Sequence, residues 1–204
     1  MTSPEIREAG LKLIRQGHKR IFLVSGQLPN ADIEYLAEAI SILYTVFDGV
    51  GEVHSVSVNV GALKAAEYAA LLESYVGTVL IYQDTYHEAS YRAAHVAGPK
   101  SDYHARLNAA DVAFSAGVPD VGGGLMLGLG PWEYDLLGLV QHQAHLVRAY
   151  DTSYRTISLH RMLLDFVVTG GLPDVWTFAG GAVILAALLL FSLAGRTGRR
   201  EKAA

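Results

Sequence analysis

Short apolar runs rich in β-branched residues alternate with stretches of helical periodicity along most of the chain, and this alternation narrows the fold more than any other feature. Residues 20–25, 53–60, 77–82, 121–127 and 155–159 read as strands. Helices are predicted over 4–16, from an Asn30 cap through Ile33, Leu36, Ala37, Ile40, Leu43 and Tyr44, and over 63–75, 101–116 and 132–150. Ser101 is a plausible cap for the fourth helix, and Gly17 can end the first. Five strands, each separated from the next by a helix, argue for parallel α/β units. No Rossmann Gly-x-Gly-x-x-Gly follows the first strand. Polar residues gather just beyond the strand ends: Ser25 to Gln27, Asn59, Gln83 to His87, and Ser158 with Arg161. In a parallel barrel that end carries the chemistry.

Composition excludes several classes. The 204 residues hold 16 Lys and Arg against 20 Asp and Glu, a formal net charge of −4, so nothing points to nucleic acid as a partner. No cysteine is present. Disulfides, cysteine nucleophiles, and zinc or iron–sulfur sites held by this chain's thiolates are excluded.

The mean hydropathy of +0.25 has a local cause. Residues 175–195 carry no charge, follow Asp174, and precede Arg196, Arg199, Arg200 and Lys202. Such a run reaches roughly 30 Å as a helix, the thickness of a hydrocarbon core. A membrane-spanning apolar helix is expected there, with its basic end cytoplasmic; the alternative is a buried core helix. Gly170, Gly171 and Pro173 read as a hinge. The expected organisation is an α/β domain over 1–169, then hinge, apolar helix and basic tail over 170–204.

Other segments have two readings each. The run Gly122-Gly123-Gly124 lets backbone approach an adenine or phosphate closely, or marks tight packing, the commoner case. His142 and His145 share a helix face, as a metal pair or, more often, as orienting or core histidines. Asp84 suits a ribose diol or a helix cap. Arg106 and Arg161 suit a carboxylate or a surface ion pair.

Taken in order, several blocks carry a resemblance: Gly17-His18-Lys19-Arg20-Ile21, Ser25-Gly26-Gln27, Val58-Asn59-Val60, Tyr82-Gln83-Asp84-Thr85-Tyr86-His87, Gly98-Pro99-Lys100-Ser101-Asp102-Tyr103, Ala116 to Gly122, and Thr156-Ile157-Ser158 with Arg161. This pattern resembles the radical S-adenosylmethionine (SAM) tyrosine lyases, nearest the [FeFe]-hydrogenase maturation branch, with the 2-iminoacetate synthases of thiamine biosynthesis as the sister branch. The resemblance implies part of a (β/α) barrel with SAM and a [4Fe–4S] cluster at its mouth. It also implies tyrosine as substrate, cleaved at Cα–Cβ to p-cresol and dehydroglycine. By position it assigns Gly26, Gln27, Asn59, Asp84 and Arg106 to SAM, and Ser158 and Arg161 to the substrate carboxylate. Gln27 and Asp84 stand where the family has Glu, and His160 stands where its Ser-x-Pro-Arg motif has Pro. The family's Cys-x3-Cys-x2-Cys loop belongs upstream of Met1 and has no counterpart here.

Two functional expectations follow. The first is the central part of such a lyase, a gene fragment or remnant that is inactive alone for want of cluster ligands. The second is a cytoplasmic, membrane-tethered module that keeps the SAM or amino-acid pocket, or docks on a complete homologue or hydrogenase maturation proteins, without radical chemistry.

Overall fold

The computed structural model describes residues 1–25 and 32–161. Its elements in chain order are α1 (Ser3–Arg15), β1 (Arg20–Val24), α2 (Ile33–Tyr44), β2 (Phe47–Asp48), β3 (Gly51–Glu52), β4 (Ser55–Asn59), α3 (Ala65–Glu73), β5 (Val79–Asp84), α4 (Glu88–Ala94), a 3-10 turn (Pro99–Ser101), α5 (Tyr103–Leu107), α6 (Ala109–Ser115), β6 (Val121–Leu127), α7 (Trp132–Tyr150) and β7 (Thr156–Arg161).

Strands β1, β4, β5, β6 and β7 form one parallel sheet in that order, and β2 with β3 make a small antiparallel hairpin. Each long strand therefore pairs with the long strand before it in the chain. Right-handed crossovers then place every connecting helix on the same face. The core confirms this: Val56, Val58, Val79, Ile81, Val121 and Leu125 from the strands pack with Ile40, Leu43, Tyr68, Leu71 and Leu146 from the helices. Each such side chain, fully buried, contributes about 1.5–3 kcal/mol. The sheet curls into a five-stranded half-barrel, and β1 and β7 are its edges among the described residues. The expected partial barrel is present.

The opposite face carries the alternate residues. Phe22 and Val24 pair with Ser57 and Asn59, Tyr82 pairs with Gly124, and Gly124 pairs with Ser158. The glycines here are a packing device. A Cβ on Gly124 would meet the Ser158 carbonyl oxygen and, at 2.8 Å, the Tyr82 ring. On the helix side, a Cβ on Gly123 would meet the Tyr154 ring at 2.7 Å. Aromatic rings occupy the space that a ligand cradle would need.

Several boundaries differ from expectation. The third strand runs on through Gln83 and Asp84, which the sequence places beyond its end, with a register shift between Tyr82 and Asp84. The helix expected over 101–116 is two short helices meeting at Asn108, and Asp102 rather than Ser101 caps the first: its Oδ1 accepts from the Ala105 N–H at 2.9 Å. Asp32, not Asn30, caps α2, with its side chain accepting from the Tyr35 N–H. Among the described residues no helix is long and apolar enough to cross a membrane. The apolar helix, hinge and basic tail expected over 170–204 lie outside the described residues.

The glycine packing predicts that Gly124→Val, which thrusts a branched side chain against Tyr82 and the β7 backbone, destabilises the domain by about 1–3 kcal/mol. Urea unfolding measures it, and a neutral effect would mean that the Tyr82 ring does not lie over Gly124.

Candidate functional site

A cavity of about 680 Å³ opens at the C-terminal ends of the strands. Ser25, Asn59, Tyr82, Asp84, His95, Lys100, Arg106, Met126 and His160 are among its lining residues. Its walls come from β1, β4, β5, β6 and β7, the stretch after α4, and α5. Of the residues expected at the mouth, Asn59, Asp84 and Arg106 converge on this cavity. Ser158 does not line it; it lies mid-strand on β7, paired with Gly124. Arg161 ends β7, paired with Leu127, and its side chain is outside the described residues, as are Gly26 and Gln27.

Asp84 is the focus. Its backbone sits at φ +68°, in the left-handed region, just past the register shift of β5. A non-glycine residue held there stores a modest strain that the surrounding structure must override. Its buried carboxylate accepts from Lys100 Nζ at 3.1 Å, and His95 Nε2 stands 3.2 Å from the same oxygen, Oδ2. His95 Nδ1 lies 2.9 Å from the Tyr91 carbonyl, which can only accept. The ring also stacks on Tyr91 at 4.2 Å, and the Tyr91 hydroxyl donates to the Lys100 carbonyl at 2.7 Å. Burial raises the Tyr91 pKa, so the hydroxyl stays a donor. The sequence named neither His95 nor Lys100 as a site residue. The Gly98-to-Tyr103 block, singled out for its resemblance, was the signal that could have found Lys100.

Arg106 is 4% exposed. Its Nη1 reaches the Val60 carbonyl at a long 3.4 Å. Among the described residues no carboxylate pairs with it. A buried guanidinium without an anion is costly, because burial removes the water that would solvate its charge.

The turn after β5 is clamped from behind. Asp135, fully buried in the first turn of α7, accepts from the Thr85 hydroxyl and the Tyr86 N–H, each at 2.7 Å. His142 and His145 belong to this outer layer. The Tyr86 hydroxyl shares a hydrogen bond with His142 Nδ1 at 2.8 Å, and His145 Nε2 lies 2.6 Å from Asp111 Oδ1. Tyrosine and aspartate engage the two rings, which are orienting groups rather than a chelating pair. Among the described residues no group of three or more His, Cys, Asp or Glu could hold a metal ion.

A parallel half-barrel with a polar cavity at its strand ends defines an α/β fold of the kind found in radical SAM enzymes. The chain is a homologue of 2-iminoacetate synthase and of the hydrogenase maturase HydG, both radical SAM tyrosine lyases. The 2-iminoacetate synthase of Escherichia coli (strain K12) is 28% identical over 160 residues, 78% of this chain and 41% of that protein. The one from Salmonella typhimurium is 28% identical over 148 residues, 72% and 38% of the two chains. This chain thus spans about two fifths of the length of the curated relatives it matches. A crystal structure of HydG, a maturase of the [FeFe]-hydrogenase, superposes with a TM-score of 0.78 at 34% identity, over 79% of this chain and 36% of that one. HydG from Carboxydothermus hydrogenoformans gives 0.73 at 32% identity, over 79% and 37%. Methylornithine synthase (PylB), at 21% identity and a TM-score of 0.64, shares the fold. No family model matches the chain.

Burial holds the His142 pKa below its ordinary 6.5, against the pull of nearby Asp111. Below about pH 6.5 the unfolded chain takes up a proton that the folded chain resists, so this histidine costs stability as pH falls. Urea midpoints of the wild type should therefore drop more between about pH 7.5 and 5.5 than those of His142→Gln. Equal slopes would remove His142 from the acid response.

Proposed function

We propose that this chain is the SAM- and amino-acid-binding central part of a radical SAM tyrosine lyase-like protein, and that it performs no radical chemistry alone. The observation that carries the reading is Arg106, a buried guanidinium that faces the mouth cavity and pairs with no carboxylate of the described residues. A ligand carboxylate is the group that satisfies it, since a guanidinium offers parallel donors to two oxygens. The cavity volume lies in the range that encloses a nucleoside-sized ligand. Asn59 and Asp84 supply further polar groups of the lining. When bound, SAM would supply the adenosyl group. Arg106 would hold its carboxylate, and Asn59 would orient its polar end.

Ser158 and Arg161 are proposed to hold the carboxylate of tyrosine, the substrate class of the relatives. Ser158 shares its sheet face with the cavity-lining residues Tyr82, Met126 and His160.

A [4Fe–4S] cluster does not fit the residues present. The family's cluster takes three thiolates, and this sequence has no cysteine. No step through a cluster is assigned to this chain.

Calorimetry tests the binding reading. The chain should bind an adenosyl amino acid, and Arg106→Met should weaken it at least tenfold, the value of one charge-assisted contact of about 1.4 kcal/mol. Unchanged affinity in a folded Arg106→Met variant would sink the carboxylate assignment. After incubation with iron and sulfide under anaerobic conditions, the chain with SAM, tyrosine and dithionite should yield no p-cresol; product above a cluster-free control would overturn the inactivity.

A further inference from the structure

The geometry points to a mouth cavity that prefers an adenosyl thioether over the sulfonium of SAM itself. This rests on the proposed function, in which the cavity takes an adenosyl amino acid. Among the described lining residues Asp84 carries the only carboxylate, while Lys100 and Arg106 are cations and His95 and His160 are basic rings. That one carboxylate is already engaged. Lys100 Nζ stands 3.1 Å and His95 Nε2 3.2 Å from its Oδ2, and its side chain is 6% exposed.

Both partners of Asp84 are fixed from outside the cavity. His95 is stacked on the fully buried Tyr91 and bonded to its carbonyl, and the Tyr91 hydroxyl ties down the Lys100 backbone. A ligand ammonium or sulfonium that came to Asp84 would have to displace a cation already there.

The cavity lining also offers Arg106, which suits a carboxylate. S-adenosylmethionine has one carboxylate, one ammonium and one sulfonium, and so carries a net positive charge. S-adenosylhomocysteine has a neutral sulfide in place of the sulfonium and is net neutral. Where cationic side chains outnumber carboxylates, the additional positive charge is repelled at short range and in a partly desolvated site. The site therefore selects the carboxylate and adenosyl groups and disfavours the sulfonium.

Titration calorimetry of the full chain at low salt, with S-adenosylmethionine and S-adenosylhomocysteine as the probes, tests this. The thioether should bind at least about tenfold tighter, and 0.5 M salt should narrow the gap because screening weakens the repulsion. Lys100→Met, a half-exposed position whose variant keeps the core intact, should also narrow the gap by freeing Asp84 for a ligand cation. Equal or tighter binding of S-adenosylmethionine to the wild type would overturn the preference while leaving the proposed function standing. An unchanged ratio in a folded Lys100→Met variant would also overturn it. Binding of neither probe at millimolar concentration would overturn both the preference and the function on which it rests.

Discussion

Each strand of the main sheet pairs in parallel with the long strand before it, and the mouth of the molecule follows from that single constraint. A sheet wound in one direction by right-handed crossovers has its helices on one face only. That face is the apolar core, built from Val56, Val58, Val79, Ile81, Val121 and Leu125. Among the described residues the other face has no helix to bury against, so small, polar and aromatic residues can line it. A doubly wound sheet would cover both faces and place its ligand at a switch point between strands instead. Here the strand ends themselves gather around one opening, and β1, β4, β5, β6 and β7 all contribute to its wall.

Within that frame β5 does the positioning. Its last residues depart from regular register, and Asp84 takes a left-handed backbone that turns its carboxylate toward Lys100 and His95. Such a conformation persists only where neighbours over-determine it. Asp135 supplies part of the constraint: a buried carboxylate at the start of α7 accepts from Thr85 and Tyr86 directly after the bend. Negative charge in the first turn also suits the helix dipole, so one residue stabilises α7 and holds the turn. The Tyr103 hydroxyl adds a bond to the Tyr86 carbonyl at 2.8 Å, linking this turn to α5, the helix that carries Arg106. Asp84 and Arg106 are thus braced by one hydrogen-bonded unit, although they stand on different elements.

The strands were legible where apolar residues run together or alternate: the glycine-rich apolar run 121–127 coincides with β6, and the β-branched alternation of 53–60 encloses β4. The end of β5 was not, because Gln83 and Asp84 are polar and read as a loop, while in the structure both are buried, Gln83 bonded to the Thr85 carbonyl and Asp84 to Lys100. The β2–β3 hairpin has two residues per strand, too few for any period to register. The break between α5 and α6 falls at Asn108, with no glycine or proline to announce it. The glycine run was visible, but its purpose depends on Tyr82 and Tyr154, which lie about forty and thirty residues away in sequence. At the site, family resemblance brought out Asn59, Asp84 and Arg106, which the cavity unites. His95 escaped because its role comes from stacking on Tyr91 and facing Asp84, and no local pattern encodes either.

Core and mouth draw on different residues, and this separation lets a site change while the fold persists. The core side chains Val56, Tyr68, Leu71, Val79, Leu125 and Leu146 are all at 0% exposure, and none of them lines the mouth cavity. Asp84 and His160, by contrast, lie at or next to the C-terminal ends of β5 and β7 and line the mouth cavity. Substitutions there alter charge and reach without opening a cavity in the core, so their cost in stability is small compared with a core truncation of about 2–5 kcal/mol. A parallel half-barrel whose core is built apart from its mouth can thus hold the buried Arg106 and the hydrogen-bonded turn after β5 in a sequence without cysteine, because hydrophobic burial in the core maintains both.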